Sequence, residues 1–295
     1  MHNCGRWLAV GAVFYWGILG AGWPQGQSPP GLRCLPDLEY ARVGDKPLQL
    51  DLYLPEKSTG RLPVIVWIHG GGWMAGSRKN PPGMDLVRRG YALASVEYRL
   101  SQEAAFPAQI YDCKAAIRWL RAHAEQYGLD AEHFGAWGHS AGGHLVALLG
   151  TAGAVKDLEG DEGSPGFSSR LQAVSDWAGP IDFLADPAQA GPDSGPSRLI
   201  GGAVKDNPDK ARRASPLTYV SAQSPPFLIV HGECDKLVPV DQARLLAAAL
   251  TKAGVPVTLA IRPWTGHGIS DPTVTWMQNA FFDRVLKGRT SEAAP

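Results

Sequence analysis

Phe134-Gly135-Ala136-Trp137-Gly138-His139-Ser140-Ala141-Gly142 passes from a short apolar run through a Gly-x-Ser-x-Gly pentapeptide, and an apolar helical stretch follows to Leu149. That order, strand then pentapeptide then helix, predicts a nucleophile elbow. The turn is so tight that the residues at 138 and 142 must be tiny, and the serine between them is held in a strained, exposed conformation that presents its hydroxyl to a cleft. Short matches to this pattern arise by chance, so the strand before it and the helix after it carry the reading.

Outward from the elbow, short apolar runs recur at Val64 to Ile68, Ala92 to Val96, Ala173 to Trp177, Phe227 to Val230 and Val257 to Ile261. Strands buried on both faces take this form. Helix-like stretches lie between them, at Asp112 to Tyr127, Ala141 to Leu149, Asp241 to Ala253 and Pro272 to Leu286. The alternation predicts an α/β fold with a mostly parallel, doubly wound sheet and right-handed crossovers. Leu48, Leu50, Leu52 and Leu54 alternate with Gln49, Asp51 and Tyr53 up to Pro55, which reads as a half-buried antiparallel strand in an N-terminal edge hairpin. From Thr151 to about Ser215 the rhythm breaks into Gly, Pro, Asp and Ser. This part reads as short cap insertions over the carboxyl edge of the sheet, where loops build binding walls.

The chain has 295 residues, 44% of them apolar, and its 28 Lys and Arg balance 28 Asp and Glu. One sizeable core fits that length, and no global field draws in nucleic acid or an anionic membrane. Arg6 precedes an almost uncharged run from Trp7 to Gly22 that ends in small residues. The segment 1–22 therefore reads as a signal peptide, with secretion or a periplasmic location following, and as a membrane anchor if it stays uncleaved. Residues 23–36 read as a flexible leader and 37–290 as one domain carrying the 151–215 insertions. Once Cys4 leaves with the signal, Cys34, Cys113 and Cys234 allow at most one disulfide. No C-x-x-C pair points to zinc, and Cys113 reads as a small buried apolar residue.

A serine hydroxyl needs a base, and the base needs an orienting acid. In chain order Ser, Asp, His, two loops at predicted strand ends supply them: His231-Gly232-Glu233-Cys234-Asp235 and Gly266-His267-Gly268. Asp235 has the loop position. Glu233 sits close behind the strand, Asp241 looks like the N-cap of the next helix, and Asp182 follows Gly179-Pro180 in another loop. Among the histidines, His2 falls in the signal, His123 and His133 on a helix and its exit, and His144 in the helix after the elbow. His69, His139 and His231 hug strand ends and read as local hydrogen-bonding residues, since none follows the acid. At the end of the first apolar run stands His69-Gly70-Gly71-Gly72-Trp73. Its glycines leave room for a substrate carbonyl, and the N–H groups of Gly71, Gly72 and Ala141 are the expected oxyanion donors. A phosphate-cradling loop is the rival, but no G-K-[ST] follows. Trp73 and His139 are candidate substrate-binding residues, with a buried loop anchor as the alternative for Trp73.

Leu50-Asp51-Leu52-Tyr53, His69 to Trp73, Tyr98-Arg99-Leu100-Ser101, Phe106-Pro107-Ala108-Gln109, Asp112 to Ala116, the Ser140 elbow, His231-Gly232 with Asp235 and Val238-Pro239, and Gly266-His267-Gly268 occur in order between Tyr40 and about Lys287. In these blocks the sequence resembles the hormone-sensitive-lipase-like branch of the α/β hydrolases, and more closely the Bacteroidetes feruloyl and acetylxylan esterases (BD-FAE). The resemblance implies cofactor-free cleavage of short or aromatic acyl esters, some carried on plant polysaccharides, by Ser140, His267 and Asp235. His139 replaces an Asp common in that branch, Glu97 stands where a small or amide residue often precedes Tyr-Arg, and the long cap of true lipases is missing. Small or carbohydrate-linked esters are therefore expected rather than long-chain triglycerides. An amide-cleaving relative, an arylformamidase or a small serine peptidase, would use the same machinery. A non-catalytic binding module would have no use for it.

Overall fold

The computed structural model describes residues 30–289, so the expected signal at 1–22 and the first part of the leader lie outside the described residues. Eight strands form one sheet: β1 (Leu32–Val43), β2 (Lys46–Pro55), β3 (Leu62–Ile68), β4 (Ala92–Val96), β5 (Leu129–His139), β6 (Ala173–Trp177), β7 (Phe227–Gly232) and β8 (Val257–Arg262). Their order across the sheet is β1-β2-β4-β3-β5-β6-β7-β8. The β1/β2 hairpin is antiparallel and β2 joins β4 antiparallel, while β3 to β8 run parallel. All carboxyl ends of the parallel strands thus share one edge, with β5 near its middle.

The helices are α1 (Met84–Arg88), α2 (Ala108–Ala122), α3 (Ala124–Tyr127), α4 (Ala141–Thr151), α5 (Gly195–Ile200), α6 (Pro208–Ala214), α7 (Asp241–Lys252) and α8 (Pro272–Lys287). Because side chains alternate along a strand, Val64, Val66 and Ile68 of β3 join one core with Ile117, Leu148 and Leu246 of α2, α4 and α7. Ile65 and Trp67 join the other, with Leu86 of α1 and Phe282 and Leu286 of α8. Two apolar layers clamp the sheet, as a doubly wound architecture requires.

Two boundaries, and the make-up of the insertion, add to what was expected. β1 begins at Leu32, inside the stretch read as leader, and pairs from Leu32↔Pro55 onward. A register shift between Leu35 and Leu38, with Asp37 at φ 56, breaks the period-2 pattern that would have marked the strand. α2 starts at Ala108, directly after Pro107, where a proline at the helix entrance leaves no intrahelical bond unmade. The insertion region is laid down as α5, capped by Ser194, α6, and short 3₁₀ turns, two of them capped by Asp182 and Asp186. Cys113 is a buried free thiol, and burial pushes it well above its usual range. Among the described residues no helix is long and apolar enough to cross a membrane.

Candidate active site

Ser140 joins β5 to α4 at φ 59, ψ −121 and donates its backbone N–H to Trp177 O at 2.8 Å. A non-glycine residue at positive φ is strained and persists because its surroundings leave no alternative. Here the glycines supply that constraint. A Cβ on Gly138 would strike the backbone of Gly142, one on Gly142 would strike the carbonyl oxygens of Ile68 and His69, and one on Gly143 would sit 2.8 Å from Trp177 O. The elbow is therefore packed backbone against backbone between β3 and β6.

The loops after β7 and β8 bring the other two residues to it. His267 Nε2 lies 2.9 Å from Ser140 Oγ, and His267 Nδ1 lies 2.7 Å from Asp235 Oδ2. The same carboxylate accepts the backbone N–H groups of Leu237 at 2.8 Å and Val238 at 3.0 Å on Oδ1. Burial works against ionisation of Asp235, but donors from His231, His267 and Val238 outweigh it and hold the group below the usual carboxylate range. An ionised Asp235 fixes the proton of His267 on Nδ1, which leaves Nε2 as acceptor for the serine hydroxyl.

On the β3 side, Gly71 and Gly72 adopt φ +108 and +61, and a Cβ on Gly71 would collide with Ala75. Among the described residues, the N–H groups of Gly71, Gly72 and Ala141 donate to no protein acceptor. Ala141 is the first residue of α4, whose N-terminal dipole adds to the field there. Both ends of the glycine loop are anchored. Arg78 donates from Nε to Asp51 Oδ1 at 3.0 Å and from Nη1 to Glu97 Oε2 at 3.2 Å, tying the loop to β2 and the end of β4. At the other end Trp73 donates from Nε1 to His144 Nδ1 at 3.2 Å and meets Phe183 edge-on.

Residues 50–250 match the family described as BD-FAE. The chain belongs to the BD-FAE family. It is 34% identical over 245 residues to a probable carboxylic ester hydrolase, LipM, of Mycobacterium tuberculosis, covering 78% of this chain and 55% of that one. The chain thus spans little more than half the length of the first curated relatives it matches. Among solved structures, a truncated carbohydrate esterase from gut microbiota superposes with a TM-score of 0.83 at 30% identity, covering 90% of this chain and all of the other. A protein described as bifunctional GH43-CE from Bacteroides eggerthii gives 0.81 at 36% identity, covering 86% of this chain and 35% of its own length. The α/β-hydrolase fold follows from these neighbours and from the sheet order.

Of the two expected substrate-binding residues of this BD-FAE chain, Trp73 takes the buried loop-anchor alternative and His139 lies half-buried beside His267. Trp73 is 2% exposed among His144, Phe183 and Gly195, so its ring anchors the loop rather than lining a pocket. His139 donates from Nε2 to His267 O at 2.8 Å, and its ring lies 4.8 Å from that of His267. Burial and the neighbouring His267 push it down to about 4, so it is neutral near pH 7 and braces the loop that carries His267. Of the other acids, Asp182 caps a turn through Leu184 N–H at 3.0 Å, and Glu233 is held by its backbone to Arg262. Asp241 is the first residue of α7, not its cap, and pairs with Arg244 at 2.7 Å.

A second layer in the BD-FAE chain was not foreseen. His231, 0% exposed, lies with Nε2 3.3 Å from Asp235 Oδ2 and 2.9 Å from Val238 O. A carbonyl only accepts, so Nε2 carries the hydrogen. Asp176 of β6 is buried behind it and accepts Gly179 N–H at 3.0 Å. A carboxylate inside the run Ala173 to Trp177 was the one signal available, since a charged residue in an otherwise apolar buried strand is rare.

Proposed function

We propose that this protein is a serine carboxylic-ester hydrolase acting on short acyl esters carried by carbohydrate. The observation that carries the reading is the continuous line from Asp235 Oδ2 through both nitrogens of His267 to Ser140 Oγ, at 2.7 and 2.9 Å, beside three uncommitted backbone N–H groups. Its likeness to carboxylic ester hydrolases and to a carbohydrate esterase supports the choice of bond and of substrate class.

In this mechanism Ser140 Oγ attacks the ester carbonyl carbon while its proton passes to His267 Nε2. The carbonyl oxygen takes up the negative charge against the N–H groups of Gly71, Gly72 and Ala141, each such donor being worth on the order of 10²-fold or more in turnover. Collapse breaks the carbon–oxygen bond to the alcohol, whose oxygen receives the proton from Nε2. Water then adds to the acyl-serine, giving its proton to His267, and the second collapse returns that proton to Ser140 and releases the carboxylic acid. Asp235 keeps Nδ1 protonated throughout and stabilises the transient imidazolium.

Ser140→Ala should bring hydrolysis of p-nitrophenyl acetate close to background, at least about 10³-fold down, with the unfolding midpoint unchanged. Turnover that survives this change in a folded protein would end the proposal.

A further inference from the structure

Trp264 stands three residues before His267 with 71% of its surface exposed. Its backbone sits at φ 59, a region in which a bulky residue is a true outlier and which a glycine would occupy without strain. Among the described residues no aromatic ring stacks on it and its Nε1–H donates to no protein acceptor. The loop around it is not slack. Cys234 N–H donates to Thr265 O at 2.9 Å, Glu233 N–H to Arg262 O at 3.0 Å, and His267 O is held by His139. Leu237, two residues past Asp235, is likewise 62% exposed. An indole is therefore displayed on a braced loop beside the site at a double cost, a strained backbone and apolar surface left in water.

Which half of an ester it meets follows from the proton's path. The carbonyl oxygen points to Gly71, Gly72 and Ala141, whereas the departing alcohol must collect its proton from His267 Nε2, so the alcohol half lies on the His267 side. Three residues reach at most about 11 Å, a span that places Trp264 near the first sugar units of a glycan alcohol. A pyranose offers what this side chain lacks: a flat array of C–H groups for the indole face and hydroxyl oxygens for Nε1–H.

We propose that Trp264 is a stacking platform for the sugar ring on the alcohol side of the scissile ester, and thereby sets the preference for glycan esters over simple ones. This rests on the carbohydrate-ester reading above. The test compares acetate release from acetylated xylo-oligosaccharides and from ethyl acetate, whose alcohol is too small to reach the platform, in the full chain and in Trp264→Ala and Trp264→Phe. For Trp264→Ala, KM on the oligosaccharide should rise about tenfold or more, and kcat/KM should fall at least tenfold further than on ethyl acetate, with Trp264→Phe recovering most of the loss. Parallel loss on both substrates, no loss on either, or a selective loss on methyl ferulate, which would put the ring on the acyl side, overturns the platform. A parent protein that cleaves ethyl acetate but not the oligosaccharide sinks the substrate reading instead. In that event calorimetric titration of Ser140→Ala with unacetylated xylohexaose still decides: binding lost in Ser140→Ala/Trp264→Ala upholds the platform, and no binding by Ser140→Ala overturns it.

Discussion

Asp176 is a carboxyl group placed where water does not reach it, with a backbone N–H and the imidazole of His231 for company. Burial pushes it up to about 6 from an unperturbed 3.8, against the opposing pull of His231 and of Gly179 N–H. The unfolded chain therefore sheds this proton between about pH 4 and 6 while the folded chain keeps it, so folding loses stability as pH rises through that window and does not regain it above. Each pH unit in the window is worth at most about 1.4 kcal/mol. Asp176→Asn keeps the acceptor for Gly179 and abolishes the ionisation. Relative to the parent it should gain stability between pH 4 and pH 7, by up to about 3 kcal/mol, read from urea unfolding at both values. An offset that is the same at both pH values would contradict the buried-acid account. That Ser140, Asp235 and His267 come together was legible in the sequence, because chain order and strand-end position constrain where they lie. His231 is the local hydrogen-bonding residue its place suggested and Trp73 took the loop-anchor alternative, but how deep either lies was not legible, since a residue that hugs a strand end gives no sign of whether its side chain turns inward.

The loop from Gly70 to Lys79 shows the same logic at the level of an element. In the proposed mechanism its middle must stay free of side chains so that a carbonyl can approach Gly71 and Gly72, and its rigidity then has to come from the ends, Trp73 in the core and Arg78 between two strands. Arg78 spans Asp51, which is 1% exposed, and Glu97, and its carbonyl takes the Ser95 hydroxyl at 2.7 Å. The departure at Glu97 thus acquires a partner that was not readable beforehand, because the two residues are nineteen apart and meet only when β4 is laid beside β3. Arg78→Met takes one donor from the buried Asp51 carboxylate, leaving it Lys79 Nζ at 3.0 Å and the Asp37 N–H at 2.8 Å, and should cost about 2 kcal/mol of stability. It should also lower kcat on p-nitrophenyl acetate about tenfold with little change in KM, since in the proposed mechanism the donors it positions act on the developing oxyanion. Arg78→Lys should rescue little, because an ammonium cannot bridge two carboxylates with a planar fork. Full kcat in Arg78→Met would show that the glycine loop holds its shape unaided. Among the elements, the parallel strands and α4, α7 and α8 were legible from their apolar runs, whereas β1 was hidden by its bulge.

At the scale of the molecule, acyl preference depends on what the insertion between β6 and β7 does with its apolar residues. Ile181, Phe183, Leu199, Ile200, Val204, Ala211 and Ala214 are all buried in the core that α4 shares, and Trp73 is packed beneath them. Only Leu184 of this segment is an exposed large apolar side chain. The insertion is consumed in covering α4 and anchoring the glycine loop, so it offers no long apolar trench beside Ser140. Each methylene of an acyl chain gains about 0.8 kcal/mol only if it finds such a surface. Past the first few carbons an acyl chain would therefore extend into water and gain nothing in the transition state. Across p-nitrophenyl esters, kcat/KM should be greatest for acetyl to butyryl and fall at least about 100-fold by dodecanoyl, measured below the concentration at which the longer esters form micelles. Undiminished turnover of the dodecanoyl ester would mean that the insertion opens in solution to expose the apolar residues it buries here.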